Sequence, residues 1–99
     1  MFNDNTSIIF IIDKKLCKEQ DIDYFHAEEI FKFIFGTKLF CFESYVLDDI
    51  IIKLNYRKKP DTLLLQITQK QIKEFVENYL RNLIKKVYIK EELYSDFLN

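Results

Sequence analysis

The chain has 99 residues, a net charge of −1, 48% hydrophobic residues and 16% aromatic ones. That length makes one domain, residues 1–99, with a single core, and that apolar content excludes a disordered chain. The near-neutral total lacks the basic excess of a dedicated nucleic-acid binder, so any such role must use a local cationic patch. Phe, Ile, Lys, Asn and Tyr dominate while Gly, Pro, Met and Ala are scarce. We read this as the bias of an AT-rich coding sequence, under which many Phe-for-Leu and Lys-for-Arg choices carry no functional message.

In chain order, 2–6 is a polar lead-in and 7–13, SIIFIID, is apolar at successive positions. That suits an inner strand covered on each side. The run 8–12 is too short to span a bilayer and no signal-peptide pattern accompanies it, so a cytoplasmic location and no membrane partner are expected. Residues 14–20 read as a charged connector. Asp21 or Asp23 offers an N-cap for a first helix whose stripe is Ala27, Ile30, Phe31 and Ile34, with Glu28 and Glu29 near its positive end and Gly36 closing it.

Residues 38–46 form a strand of poor alternation, and Leu47, Asp48 and Asp49 a turn. The next strand, 50–56, alternates cleanly: Ile50, Ile52, Leu54 and Tyr56 face one way, Lys53 and Asn55 the other. Arg57, Lys58, Lys59, Pro60 and Asp61 then make a hairpin loop before a strand over 62–67. The alternative is a helix that starts at Asp61, with Pro60 in its first turn, and runs straight on.

The stretch 68–88 carries the clearest period. Ile72, Phe75, Val76, Tyr79, Leu80, Leu83, Ile84 and Val87 recur at steps of three and four, one face of a long helix. Thr68 with Gln71 reads as its capping box. Residues 87–90 and 93–98 close the chain as a β-hairpin or as a frayed helix end. The fold class is α/β (α+β): one mostly antiparallel sheet covered by two helices, in the order β-α-β-β-β-α.

Few residues fit catalytic chemistry. With Gly36 the only glycine, neither a P-loop nor a dinucleotide fingerprint exists. The single histidine, His26, lacks a partner at zinc-ligand spacing, and Cys17 and Cys41 fit no metal or redox motif. The acidic pairs Glu28-Glu29, Asp48-Asp49 and Glu91-Glu92 are sequence neighbours whose side chains diverge, so they do not make a shared carboxylate site. Neither enzymatic activity, a cofactor, a metal nor a small-molecule substrate is expected.

What remains is surface charge. Lys70, Lys73, Arg81, Lys85 and Lys86 decorate the polar side of the long helix, and Arg57, Lys58 and Lys59 crown the loop. Such a row and loop can grip phosphates along an RNA backbone. Against this, Lys70 with Glu74 and Glu77 with Arg81 stand at i, i+4 spacing, where they could neutralise one another.

Two segments resemble the eukaryotic L-twenty-two family of large-subunit ribosomal proteins, in a shortened, divergent form. The first is FIIDKKLCKEQDI, from Phe10 to Ile22, continuing to Glu29 and Phe31. It is similar to the family's F-x-L-D strand, the acidic residue and Ile beyond it, and a helix with an E-x-F core. The second is TQKQIKEFVENYLRN, from Thr68 to Asn82, similar to the family's basic helix through Thr68, Lys70, Ile72, Lys73, Phe75, Tyr79, Leu80 and Arg81. Gln69, Glu77, Asn78 and Asn82 stand where the family carries basic residues, and 37–49 replaces its glycine-containing loop.

The resemblance implies a structural constituent of the large ribosomal subunit, with rRNA and neighbouring ribosomal proteins as partners. It carries Lys70, Lys73 and Arg81 over as RNA-facing. Lys85 and the loop cations Arg57, Lys58 and Lys59 join the site on charge alone. Ribosome-hibernation factors and the small Alu-domain proteins of the signal recognition particle share parts of this element order. From another class, a protein-interaction module such as a small viral or phage inhibitor suits the neutral charge and the many Phe and Tyr residues.

Overall fold

A computed structural model describes residues 5–22, 26–80 and 82–92. Their elements run β1 (Asn5–Ile12), α1 (Lys14–Glu19), α2 (Ala27–Phe35), β2 (Phe40–Val46), β3 (Ile50–Tyr56), α3 (Thr62–Tyr79) and β4 (Ile84–Glu92). The strands form one sheet in the order β2-β3-β1-β4, with every pairing antiparallel. Strands β1 and β2 therefore run parallel with β3 between them, and β3 and β4 run parallel with β1 between them. This is the split β-α-β connectivity of ferredoxin-like domains, with α1 added after the first strand.

The core lies between the sheet and one helix layer. Ile8, Phe10 and Ile12 of β1 and Ile50, Ile52, Leu54 and Tyr56 of β3 all turn to it and are buried, as alternation requires. Phe31 and Phe35 of α2 and Phe75 of α3 meet them from above. The Phe10 and Phe31 ring centroids lie 4.7 Å apart and those of Phe31 and Phe75 4.9 Å apart, both edge-on. Phenylalanine at these positions fixes the helix layer over the central strands, because large rings bury area and interlock by geometry.

The mixed sheet-and-helix class is as expected, but several elements differ. The region 62–67 is helix, the alternative reading, and no strand lies there. Asp61 is the N-cap, and its carboxylate accepts from the Leu64 amide at 2.7 Å. Over so few residues an alternating pattern also fits a helix: Leu64 and Leu65 continue the three-and-four spacing into Thr68, Ile72 and Phe75. Thr68 is therefore mid-helix and 1% exposed. Its hydroxyl donates to the Leu64 carbonyl at 2.8 Å and accepts from the Tyr56 hydroxyl at 2.5 Å.

The long helix ends at Tyr79 instead of continuing to residue 88. Leu80 and Leu83 bury themselves in the turn, and 84–92 becomes β4, with Val87 and Ile89 against the core. The helical period of Ile84 and Val87 yields because β1 would otherwise lose half its backbone hydrogen-bond partners. The expected strand at 87–90 lies within β4, paired to β1 and not to a hairpin partner; 93–98 falls outside the described residues.

Residues 14–20 fold as α1, capped by Asp13, and bury Cys17. Helix α2 starts after His26, whose side chain makes no capping bond; Asp21 has a positive φ of 56° at the end of α1, and Asp23 is not described. Gly36 closes α2 with φ 84° and ψ 153°, a backbone region that essentially only glycine enters. Strand β1 is an inner strand; among the described residues helices pack on one of its faces only, although Ser7 and Ile9 on the other face are buried as well.

Candidate nucleic-acid interface

Helix α3 turns Thr68, Ile72 and Phe75 inward, so Lys70, Lys73, Glu74 and Glu77 project outward and are exposed. Among the described residues no ion pair joins Lys70 to Glu74. Arg81 lies outside the described residues, so its pairing with Glu77 is not described. Residues 57–61 link β3 to α3 and place Arg57, Lys58 and Lys59 at the positive end of the helix dipole. At about 1.5 Å per residue, Lys70 and Lys73 follow some two to three turns along the same helix.

Arg57 is fastened locally. Its Nε donates to the Thr37 carbonyl at 2.9 Å, and its amide donates to the Leu39 carbonyl at 2.8 Å. One edge of the guanidinium thus anchors the loop to the segment before β2. Lys85 has another function. It is the extra residue where the β1–β4 register shifts, and its Nζ lies 2.8 Å from Asp49 Oδ1. That hydrogen bond, more than any other influence, raises the lysine's pKa. Lys85 therefore ties the start of β4 to the β2–β3 turn, apart from the α3 row.

The other face of the sheet bears a set of side chains that charge counting along the helix missed. In the register, Glu43, Lys53, Ile9 and Tyr88 form one row across the four strands. Tyr45, Ile51, Ile11 and Lys86 form the next, and Cys41, Asn55, Ser7 and Lys90 the third. No helix among the described residues packs on these rows, since α2 and α3 both meet the opposite face. Ser7 Oγ donates to Asn55 Oδ1 at 2.7 Å, closing two polar groups on each other. Lys86 Nζ sits 5.0 Å from the Tyr88 ring centroid, within cation–π range. Tyr45 donates to Glu43 at 3.2 Å, a bond that raises the phenol's pKa. Reading 84–90 as a strand would have found the Lys86, Tyr88, Lys90 alternation in the sequence.

Other chemistry is sparse. Burial, with a smaller contribution from Asp13, raises the Cys17 thiol pKa, which keeps it protonated and unreactive at neutral pH. Among the described residues no group of three His, Cys, Asp or Glu could hold a metal ion, and no helix is long and apolar enough to cross a membrane. A cleft of about 220 Å³ opens beside Cys17, Ile22, Ile30 and Tyr79, with almost wholly apolar walls.

The described fold and surfaces define a small α+β domain with a one-sided helix layer and lysines on both broad faces. Comparison with protein-family models, curated proteins and solved structures finds no significant match.

Proposed function

We propose that this protein is a non-enzymatic constituent of the large ribosomal subunit that holds rRNA by its phosphate backbone. The observation that carries this reading is the outer face of α3. Lys70 and Lys73 stand exposed one turn apart, with no acidic partner among the described residues. The cationic loop at 57–59 leads into the same helix. The exposed ammonium groups of Lys70 and Lys73 can release counterions from a polyanion. The chain order of a strand, a helix and a long amphipathic helix followed by a strand also agrees with the ribosomal resemblance.

In this reading the sheet and helices are a scaffold, and RNA is recognised by shape and backbone. Glu74 and Glu77 face solvent or neighbouring basic ribosomal proteins, and the setting is cytoplasmic. The test is co-sedimentation with large subunits through a salt wash, comparing the parent chain with a Lys70→Ala, Lys73→Ala variant. The variant should wash off at lower salt while its unfolding curve is unchanged. Retention identical to the parent's would remove α3 from the interface.

A protein-interaction module is the second reading, and one observation favours it. Phe33 projects from α2 with 87% of its surface exposed, next to a half-exposed Ile30. Apolar side chains grouped on one helix suit burial by a protein neighbour. If Phe33→Ser leaves particle association intact while Lys70→Ala, Lys73→Ala abolishes it, this second reading fails.

A further inference from the structure

We propose that the outer face of α2 is a docking surface for a second copy of this chain, each copy seating Phe33 in the apolar cleft of the other. The partner is the chain itself, so the inference does not rest on the RNA reading above.

The projecting ring is a consequence of the helical period. Phe31 and Phe35 turn into the core. The residue midway between them, two steps of about 100° from each, must point nearly the opposite way. Phe33 is therefore 87% exposed, more than any other large apolar side chain among the described residues.

The socket lies on the same helix. Ile30, one turn before Phe33, stands at the mouth of the cleft with Ile22 and Tyr79, while the buried Phe31, Phe75 and Leu83 line it further in. The cleft holds about 220 Å³, and an apolar cavity of about 150 Å³ already accepts a benzene ring. Its walls offer almost no polar atoms to water, so a ring entering there displaces poorly bonded solvent.

Ring and socket one turn apart on one helix select the symmetry. A two-fold axis through the middle of α2 sets the two helices antiparallel and brings Phe33 of each copy beside Ile30 of the other. Both contacts then form together and the pair closes on itself. Charge permits the approach: the chain carries only −1. Glu28 and Glu29, beside the contact, share Lys32 at 3.7 and 3.6 Å, so no block of like charge meets its own image.

Area sets the strength. Phe33, Tyr79, Ile30 and Ile22 are 87%, 64%, 48% and 38% exposed, which at roughly 200 Å² per side chain leaves roughly 500 Å² of apolar surface per copy. A pair buries about twice that, at the small end of specific interfaces, so the dimer is weak and concentration-dependent.

Sedimentation equilibrium on the full chain tests this. The average mass should climb from 12.1 kDa toward twice that value, with a midpoint at about 10–100 µM for so small an interface. Phe33→Ser should raise the midpoint about tenfold or more, as loss of a central aromatic anchor does. Its unfolding curve should be unchanged, because Phe33 lies outside the core. Ile30→Glu, which puts a charge at the mouth of the cleft, should weaken the pair in the same way. A mixture of the two variants separates this contact from any other. Phe33→Ser keeps a sound cleft and Ile30→Glu a sound ring, so the mixture regains one of the two contacts and associates more tightly than either variant alone.

A parent chain that stays at 12.1 kDa up to about 1 mM overturns the inference. If that monomer takes up anilinonaphthalene sulfonate and Ile30→Glu prevents it, the occupant is a small apolar ligand instead. A dimer indifferent to Phe33→Ser also overturns it, by placing the interface elsewhere. So does a mixture no tighter than its components, since Phe33 then does not enter the cleft.

Discussion

The hydrogen bond between Tyr56 and Thr68 is where β3 and α3 are joined by chemistry as well as packing, and a double-mutant cycle measures it. Both residues are buried, and Thr68 Oγ1 accepts from Tyr56 while donating to the Leu64 carbonyl. Thr68→Val keeps the shape but strands the Tyr56 hydroxyl as a buried donor, at a cost of about 1–3 kcal/mol. Tyr56→Phe removes the donor and leaves Thr68 its bond to Leu64, so it should cost only about 0.5–1.5 kcal/mol. The double variant has no stranded donor, and its destabilisation should fall short of the sum of the single ones by about 1 kcal/mol. Urea unfolding followed by circular dichroism measures all four chains, and an unchanged slope would show that the denatured state is not what moved. In thermal melts each kcal/mol should shift the midpoint by about 4–8 °C for a domain of this size. Strict additivity, or a neutral Thr68→Val, would refute the reasoning and return Thr68 to a role at a helix end.

Three further predictions concern the core, one backbone position and alkaline pH. Phe31→Ala removes the ring that meets both Phe10 and Phe75, and should cost about 3–5 kcal/mol, much of the stability of a small domain, in the same urea assay. Gly36→Ala places a Cβ in open space, so its cost is backbone strain alone, about 1–3 kcal/mol; a smaller loss would mean that the loop relaxes. Burial raises the Tyr56 pKa above its usual 10.0 despite the opposing bond to Thr68, and Asp49 raises that of Lys85 above 10.5. Groups with raised folded pKa values hold more protons when folded, so their stabilisation is complete below the unfolded values and is lost as pH rises through the folded ones. Stability should therefore decline above about pH 10, where the unfolded tyrosine begins to titrate, and Tyr56→Phe should flatten that decline in unfolding curves recorded across the alkaline range.

Much of the architecture could be read from local pattern. The β3 alternation, the inward stripe of α3 from Ile72 to Phe75, the Gly36 stop and the turn after Val46 are consequences of side-chain period and backbone permission. These act over a few residues and need no knowledge of the rest of the chain. The outward placement of Lys70 and Lys73 follows from the same periodicity.

Contacts between distant segments decided the rest. Residues 62–67 suit strand or helix, and Asp61 capping with Tyr56 waiting beneath Thr68 selected the helix. Residues 84–88 continue a helical stripe, yet β1 needed a second strand partner, and its unpaired amides and carbonyls outweighed the local period. That exchange carried Lys86 from a helix flank to the sheet face, in line with Tyr88 and Lys90, and brought Lys85 onto Asp49. Strand pairing joins residues far apart in the chain, so which cations share a surface emerged only when the sheet closed.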